Sequence, residues 1–323
     1  MKISILGGGG FLGRKIASKL AQDGELGGRP VAALTLFDVA APPKPDAPFT
    51  VTSIGGDVVT LPGDAIPDGT DLVFHLAAVV SAQAEADYDL GRRVNVRGTD
   101  AVIDRCRALG TRPRVVFTSS VASFSADQNS VLLDNTRQVP ANSYGAQKAA
   151  AELFLADASR RGFLDAVSLR LPTVIVRPGR PNKAASSFFS AIVREPLLGL
   201  DTELPVADDF AVWVCSPRRA VDWLLHAAVM DTSKLGLDRS IDPPGISTTV
   251  AHLLQALDQL APGASSHVKR AADESIAAIV STWPPAFEAL HARTLGFSAH
   301  EPVLEVLRAF IEDDLAATKA ERG

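Results

Sequence analysis

The chain has 323 residues, of which 46% are hydrophobic, so it is long enough for one large domain or for two lobes that share a core. Its formal net charge of -5 excludes a general attraction to nucleic acid or to an anionic membrane surface. The cysteines, Cys106 and Cys215, lack the spacing of a metal site or a disulfide framework, and no apolar run approaches the roughly 20 residues of a membrane helix, so a cytoplasmic location is expected.

The first predicted element is a short strand that begins directly after Met1, ends in glycines and continues as a helix. The apolar run Ile3–Leu6 favours a buried strand, and Ile16 and Leu20 share one face of the helix that follows. Because Met1 precedes the strand, we expect no signal peptide. A helix N-terminus at the glycine joint offers free N–H groups to a phosphate, and glycine lets the ligand approach the backbone closely. The sequence therefore predicts a pyrophosphate-binding loop.

Two glycine spacings fit this loop. Gly8, Gly10 and Gly13 match the general dinucleotide pattern, whereas Gly7, Gly10 and Gly13 match a wider pattern. Four consecutive glycines satisfy both, so the loop by itself does not choose between them.

The second predicted strand, Val31–Phe37, ends at an acidic residue. A carboxylate at this point accepts hydrogen bonds from the adenosine ribose hydroxyls and repels a 2'-phosphate. Asp38 lies somewhat further from the glycines than the usual 20 or so residues, and the predicted loop Asp23–Pro30 accounts for the difference. Asp38 therefore favours NAD over NADP, although a carboxylate that only ends the strand is the alternative.

The next two predicted strands lead towards the same edge of the sheet. Four prolines between positions 40 and 48 exclude regular structure, after which Phe49–Thr52 predicts a short strand. Asp57 would follow that strand, where a carboxylate suits the amino group of adenine. The nearly continuous apolar run 71–78 predicts a buried parallel strand that reaches the cofactor, and His75 within it is interpreted as a core residue.

A helical pattern over roughly 85–108 and the buried strand Arg114–Ser120, which ends in hydroxyls, continue the alternation of strands and helices. This alternation predicts the α/β class, with a Rossmann-type doubly wound parallel sheet and right-handed crossovers. The ligand of such a sheet lies over the carboxyl ends of its strands.

The next predicted helix, 140–161, carries a tyrosine and a lysine four residues apart. Tyr144 and Lys148 therefore share one helix face. A phenol with its ordinary pKa near 10 is a weak base at neutral pH, but an adjacent ammonium and an oxidised nicotinamide both favour the phenolate. Ser120, at the end of the preceding strand, could hydrogen-bond the same substrate oxygen. Together with the glycine loop, this order of residues favours an oxidoreductase site.

From about Gly179 the chain becomes less regular. Helices are predicted over 183–193, 218–228 and 301–314, and a loop is predicted over 240–245 after a presumed strand. The tryptophans Trp213, Trp223 and Trp283 could line a pocket, but packing is the favoured interpretation of all three.

These motifs resemble the extended branch of the short-chain dehydrogenase/reductase superfamily, which includes nucleotide-sugar epimerases and dehydratases. The resemblance covers about the first 180 residues and extends to the rest by general layout. It implies an NAD-binding Rossmann domain over 1–178 and a smaller substrate-binding lobe over 179–323, some segments of which return to the Rossmann sheet.

The resemblance also implies roles for individual residues. Ser120, Tyr144 and Lys148 correspond to the catalytic residues of the family, and Asn95 corresponds to its structural asparagine. Expected at the NAD are Gly7, Gly10, Phe11, Leu12, Gly13, Asp38, Asp57, Val58, Leu76, Ala77, Ala78, Asn95, Thr118, Tyr144, Lys148, Pro172, Thr173 and Val174. Expected at the substrate are Ser81, Ser120, Tyr144, Arg177 and Arg180, and no metal site is expected.

Two departures weaken the interpretation as an epimerase. Ser123–Ser125 replaces Val-Tyr-Gly, and Thr173 stands where epimerases carry the asparagine that holds a nucleotide-sugar. A third departure, Leu6 in place of a threonine before the first glycine, is a small change that need not affect binding. The stretch Leu169–Asn182 is instead similar to the corresponding segment of the D-erythronate dehydrogenase subfamily. That similarity implies NAD-dependent oxidation at C2 of a four-carbon sugar acid to the 2-oxo acid.

Two other functions remain as alternatives, a nucleotide-sugar epimerase and a non-catalytic NAD-binding sensor, and the complete catalytic set counts against the sensor. A sugar acid requires a cation for its carboxylate. Arg177 follows the sixth predicted strand and is one candidate, although it could equally hold a loop carbonyl, and Arg180 and Lys183 are substitutes. The expected partners are the sugar acid and a second copy of the chain in a homodimer, with no nucleic acid and no membrane.

Overall fold

The computed structural model describes residues 1–180, 184–298 and 302–322. The strands in these ranges are β1 (Lys2–Leu6), β2 (Glu25–Leu26), β3 (Arg29–Pro30), β4 (Ala33–Asp38), β5 (Thr50–Gly55), β6 (Leu72–His75), β7 (Arg114–Ser120), β8 (Leu132–Leu133), β9 (Asp165–Leu171), β10 (Thr173–Val174), β11 (Thr202–Leu204), β12 (Ala211–Cys215), β13 (Ser240–Ile241), β14 (Ile246–Thr249), β15 (Val268–Arg270) and β16 (Phe287–Glu288). The α-helices are α1 (Phe11–Asp23), α2 (Ser81–Ala86), α3 (Tyr88–Arg92), α4 (Gly98–Leu109), α5 (Ser143–Arg160), α6 (Ser187–Leu197), α7 (Pro217–Val229), α8 (Val250–Leu260), α9 (Glu274–Val280), α10 (Leu290–Thr294), α11 (Val303–Asp313) and α12 (Leu315–Arg322).

The main sheet has the strand order β13-β9-β7-β6-β1-β4-β5 among the described residues, and its neighbouring strands pair in parallel. From β1 the chain first builds the sheet in one direction through β4 and β5. It then returns to the other side of β1 and continues through β6, β7, β9 and β13. The order therefore reverses between β1 and β6, which is where a doubly wound sheet binds its ligand. The predicted α/β class and Rossmann-type sheet are confirmed.

Apolar side chains on the two faces of the main sheet belong to separate clusters because successive strand residues point to opposite faces. Ile3 and Ile5 of β1 pack with Ile16 and Leu20 of α1. Leu6, the last residue of β1, belongs instead to the cluster that contains α4 and α5 side chains. Helices thus cover both faces, and the glycine-rich segment after Leu6 emerges between the two layers.

The predicted continuous helix over 85–108 is wrong in detail. The segment is divided into α2, α3, a π-helical turn over Arg93–Arg97, and α4. Asp87 has a non-helical backbone, and its carboxylate accepts a hydrogen bond from Leu90 N at 3.0 Å, so it starts α3 as an N-cap. The apolar spacing continues across this break, which is why periodicity alone did not show it.

Two predicted loops also contain short strands. Within Asp23–Pro30, β2 pairs with β3. Gly27 and Gly28 connect the two strands, and their φ angles of 58° and 75° suit a two-residue hairpin turn. Ser240 and Ile241, predicted as loop, form β13 and pair with Ser168 and Leu169 of β9. The prolines that follow cannot donate to a ladder, so the strand is short.

The second lobe is built on the sheet β10-β12-β14, in which β12 and β14 are antiparallel. Side chains of α6, α8 and α11 form its apolar core, for example Phe189, Leu253 and Phe310. Residues after 179 also reach the main sheet, because β13 extends that sheet and Trp223 and Leu224 of α7 join the same apolar cluster as β1. Among the described residues, no helix combines the length and the apolar character needed to cross a membrane.

Candidate active site

A cavity of about 470 Å³ opens over the carboxyl ends of β1, β6 and β7 and extends to the second lobe. Predicted site residues that line it are Gly7, Gly10, Phe11, Leu12, Gly13, Leu76, Ala78, Ser81, Thr118, Ser120, Tyr144, Lys148, Pro172, Thr173, Val174, Arg177 and Arg180. Predicted site residues outside this lining are Asp38, Asp57, Val58, Ala77 and Asn95. The tertiary structure therefore brings the glycine loop, the catalytic candidates and Arg177 to one space.

The glycine loop forms a cradle that side chains would fill. Gly7 has a φ of 89°, and a Cβ there would lie 2.7 Å from the backbone N of Ala77. A Cβ on Gly13 would lie 2.3 Å from the carbonyl oxygen of Gly7. Both positions exclude larger residues, whereas the tightest contact at Gly8 would be 3.2 Å, which supports the wider glycine spacing. The N-terminus of α1 has no side-chain cap, so its N–H groups are available to a pyrophosphate.

Asp38 ends β4 beside this loop. Its carboxylate accepts hydrogen bonds from Gly9 N at 2.9 Å and from Val39 N at 2.7 Å. The carboxylate is thus held next to the glycines, and the residues that follow it in sequence, Val39 to Ala41, carry no positive charge. This arrangement fits a ribose and gives a 2'-phosphate no partner on this segment.

Three other predicted cofactor residues have structural partners. Asp57 accepts a hydrogen bond from Val59 N at 2.9 Å and pairs with Arg93, and these contacts hold the pKa of its carboxyl below the ordinary value. Val58 is buried against α4. Asn95 brackets the backbone of Val79, accepting from its N at 2.8 Å and donating to its O at 3.0 Å. Asn95 does not line the cavity, but it positions the segment after β6, which does.

The catalytic candidates meet where β7 and α5 approach each other. Ser120 is the last residue of β7, and its hydroxyl lies close enough to Tyr144, in the first turn of α5, to lower the pKa of the phenol. Asn142 caps α5 by accepting a hydrogen bond from Gly145 N at 2.8 Å. Gly145 permits the close approach, because a Cβ there would lie 1.9 Å from the carbonyl oxygen of Ala122.

Lys148 lies one turn further along α5 and is 2% exposed. Its Nζ donates to the carbonyl oxygen of Thr118 at 2.8 Å and lies 4.5 Å from the ring centroid of Phe117. Burial lowers the pKa of Lys148 to about 7, and the nearby Glu152 carboxylate opposes this shift.

Tyr144 is partly exposed to the cavity, and burial raises its pKa to about 12. The positive charge of Arg177 and the hydrogen bond from Ser120 both act in the opposite direction. The phenol is therefore neutral at neutral pH without a further cation, and a positive charge placed beside it in the cavity would favour the phenolate.

A buried ionic network lies behind these residues. Arg170 donates from Nε to Glu152 at 3.0 Å and pairs with Asp242 at 3.2 Å, while Glu152 also accepts hydrogen bonds from Ser119 and Gln138. Burial raises the pKa of Asp242 to about 7. The network connects β9, α5 and the end of β7, so it holds the strand end that carries Ser120 against the helix that carries Lys148.

Arg177 holds a backbone carbonyl and also faces the cavity. Its Nε donates to the carbonyl oxygen of Val174, the last residue of β10, at 3.1 Å, and its Nη2 donates to Ser186 Oγ at 3.1 Å. Its charge also acts on Tyr144, and it lines the cavity. Of the two proposed substitutes, Arg180 is exposed at the cavity, whereas Lys183 lies outside the described residues.

Some lining residues were not found from the sequence. Val121, Ala184 and Ser186 line the cavity, and no local pattern distinguished them. Trp283, interpreted as a packing residue, is buried in the apolar core and also lines the cavity.

Trp213, Trp223 and Ser81 have structural partners. Trp213 stacks on Phe287 with ring centroids 4.4 Å apart, and Trp223 donates its indole N–H to Ser298 O at 3.1 Å. Ser81 accepts a hydrogen bond from Ala185 N at 3.2 Å, which ties the second lobe to α2. In the described part of the chain, no cluster of three His, Cys, Asp or Glu side chains could hold a metal ion.

Comparison with known proteins identifies similar chains. The model of the NAD dependent epimerase/dehydratase family matches residues 3–214. The chain is 46% identical to the D-erythronate dehydrogenase of Cupriavidus necator over 97% of this chain and 98% of that protein. It is 39% identical to the D-erythronate dehydrogenase of Haemophilus influenzae over 98% of this chain and 100% of that protein.

Solved structures give the same fold. A crystal structure described as the nucleoside-diphosphate-sugar epimerase from Agrobacterium tumefaciens is 43% identical, with a TM-score of 0.91, and covers 99% of this chain and 96% of that chain. An L-threonine dehydrogenase from Cupriavidus necator has a TM-score of 0.82 at 22% identity over 98% of this chain and 99% of that chain, a likeness of fold alone.

Proposed function

The chain belongs to the NAD dependent epimerase/dehydratase family, and on this basis we propose that it oxidises the C2 hydroxyl of D-erythronate to the 2-oxo acid with NAD. The observation that carries this proposal is the similarity over nearly the full chain to two D-erythronate dehydrogenases. The meeting of Ser120, Tyr144 and Lys148 in one cavity supports dehydrogenase chemistry.

NAD is the cofactor, as predicted from Asp38 and the glycine loop. The cradle at Gly7, Gly10 and Gly13 fits its pyrophosphate, and Asp38 would hold the adenosine ribose. We place Lys148 at the nicotinamide ribose, because its ammonium group lies in the cavity between Thr118 and Tyr144. NAD, when bound, supplies the hydride acceptor and a positive charge on its nicotinamide ring.

Tyr144 takes the proton of the C2 hydroxyl as the C2 hydrogen leaves as hydride, so that the alcohol loses two electrons and becomes a ketone. Ser120 donates a hydrogen bond to the same oxygen and keeps it within reach of the phenol. Arg177 and the bound cofactor place positive charge near Tyr144, which offsets the rise in its pKa caused by burial. Activity should therefore rise as the pH becomes more alkaline.

The substrate carboxylate is assigned to Arg177. Its guanidinium lies in the cavity close enough to Tyr144 to influence its pKa, and Val174 and Ser186 hold it in orientation. The described hydrogen bonds of its side chain use Nε and Nη2, so Nη1 faces no partner among them and is the donor we assign to the acid.

The experiment that tests the function is NADH formation, followed by its absorbance, with a panel of sugar acids. We expect D-erythronate to give NADH and Tyr144→Phe to lower turnover by roughly 100-fold or more while NAD binding stays near normal. The likeness to a structure described as a nucleoside-diphosphate-sugar epimerase makes epimerase activity the alternative to test. An epimerase would convert a nucleotide-sugar without net NADH, and an NAD-binding sensor would form none with any acid.

The proposal extends to the organisation of the protein. We assign NAD binding to residues 1–178 and substrate binding mainly to 179–323, with α7 and β13 returning to the first sheet. We also propose a cytoplasmic location and a homodimer. Cys106 and Cys215 are both buried and neither is in a disulfide, which is consistent with a reducing compartment.

A further inference from the structure

Trp283 lies at the substrate end of the cavity. It follows α9, is 8% exposed and lines the same cavity as Tyr144 and Ser120. Its side chain belongs to the apolar cluster of the second lobe, and Tyr144 packs against that cluster. Phe11 of the glycine loop packs against a different cluster. Trp283 is therefore on the side of Tyr144 rather than on the side of the phosphate loop.

The wall that Trp283 presents is apolar. Its indole N–H is buried and has no hydrogen-bond partner among the described residues. The indole nitrogen is the only polar atom of the side chain, and it is not exposed. The part of Trp283 that faces the cavity therefore offers no hydrogen bond to a substrate hydroxyl. A longer polyol chain pressed against this surface would lose hydrogen bonds to water without replacement.

The wall is also held in place from two sides. The backbone N–H of Trp283 donates to Val280 O at 3.1 Å, which ties it to the end of α9. The carbonyl oxygen of Thr282 accepts a hydrogen bond from Ala126 N at 2.9 Å, which ties the same segment to the connection between β7 and α5. A tryptophan whose segment is anchored to the connection that follows Ser120 excludes a larger substrate instead of moving aside.

The direction of the substrate follows from the four substituents at C2, on the assignments made under the proposed function. The hydrogen faces the nicotinamide, the oxygen faces Tyr144 and Ser120, and the carboxylate faces Arg177. The rest of the carbon chain must take the fourth direction, and we place it towards Trp283, which lines the cavity and belongs to the cluster that Tyr144 packs against.

We propose that Trp283 limits the length of the acid, so that a four-carbon chain fits and five- or six-carbon aldonic acids are rejected by contact with the indole. This inference deepens the proposed function and rests on it. Trp283 is thus a specificity-determining residue. It leaves room for the terminal carbon of a four-carbon acid and excludes any carbon beyond it.

The test compares kcat/KM with NAD for D-erythronate and for five- and six-carbon aldonic acids of the same configuration at C2 and C3. Trp283→Leu removes most of the ring volume and keeps an apolar side chain. We expect it to raise the ratio of kcat/KM for the six-carbon acid over D-erythronate by roughly 10- to 100-fold, since one methylene of misfit is worth about 10- to 200-fold. Trp283→Phe should raise the ratio by less.

The matched control is Trp223→Leu, which removes another buried indole, one outside the cavity, and should leave the ratio unchanged. If Trp283→Leu does not fold, Trp283→Phe and the wild-type length series still decide the question. An unchanged ratio in the Trp283 variants, or a wild type that oxidises the six-carbon acid as well as D-erythronate, would overturn the inference and leave the proposed function standing. A wild type that forms no NADH with D-erythronate would instead refute the proposed function.

Discussion

The close approach of α5 to the end of β7 makes Gly145 a sensitive position next to Tyr144. In Gly145→Ala the new Cβ would lie 1.9 Å from Ala122 O and 2.7 Å from Ala122 C, both of which are backbone atoms. Real Cβ contacts are essentially never shorter than 3.0 Å, so the helix and the Ala122 backbone must separate by at least 1.1 Å, the difference between 3.0 and 1.9 Å. No flexible side chain at Ala122 can absorb this movement.

The displacement acts on both partners of the reacting oxygen. Tyr144 precedes Gly145 on α5, and Ser120 Oγ accepts a hydrogen bond from Ala122 N at 3.1 Å. A misplacement of about 1 Å costs on the order of 100-fold in rate when the reacting groups must be aligned. We therefore expect Gly145→Ala to lower kcat/KM for D-erythronate by about 100-fold or more, while the glycine loop still binds NAD.

The assay is steady-state NADH formation, together with NAD affinity and thermal unfolding of each variant. The control is Gly162→Ala, just beyond the C-terminal end of α5, where φ is 76° and no atom lies within 4 Å of the added Cβ. This variant should lose about 1 to 2 kcal/mol of stability from its left-handed backbone and keep its kcat/KM. If Gly145→Ala retains more than half of the wild-type kcat/KM, the argument from close approach is refuted.

Three further predictions address the cofactor, the substrate and the core. Asp38→Asn should raise the ratio of kcat/KM for NADP over NAD by about 10-fold, because it removes a charge that repels the 2'-phosphate; an unchanged ratio would remove Asp38 from cofactor selection. Arg177→Lys should lower kcat/KM for the acid by about 10- to 100-fold, or 1.5 to 3 kcal/mol, mainly through KM, and wild-type kinetics in both Arg177→Lys and Arg177→Ala would move the carboxylate site elsewhere. Burial lowers the pKa of His75 from 6.5 to about 3, so its neutral form stabilises the fold above pH 6.5 and this stability is lost as the pH falls towards 3. At about pH 5 the loss should be about 2 kcal/mol, and urea unfolding of His75→Leu at pH 7 and pH 5 should show a pH dependence smaller by that amount; an equal dependence in the two proteins would contradict the role of His75.

Features that depend on residue spacing within one segment could be predicted from the sequence. The strand, glycine loop and helix at Gly7 to Gly13, the acidic end of β4, and the shared helix face of Tyr144 and Lys148 are all local patterns. Alternating strands and helices then specify a doubly wound sheet, because parallel strands need helical crossovers of one hand. The cofactor could therefore be predicted from the local patterns, and the fold class from the alternation of strands and helices.

Features that depend on contacts between distant segments could not be predicted in this way and became visible only in the folded chain. Glu152, Arg170 and Asp242 form one ionic network although they lie on α5, on β9 and after β13, and Trp283 reaches the cavity from a segment that follows α9. Such contacts leave no periodic signal, because each residue alone is compatible with an ordinary packing or surface role. The distances between packed elements, such as the approach that Gly145 permits, set the geometry of the site, and these distances arise only when the whole core is packed.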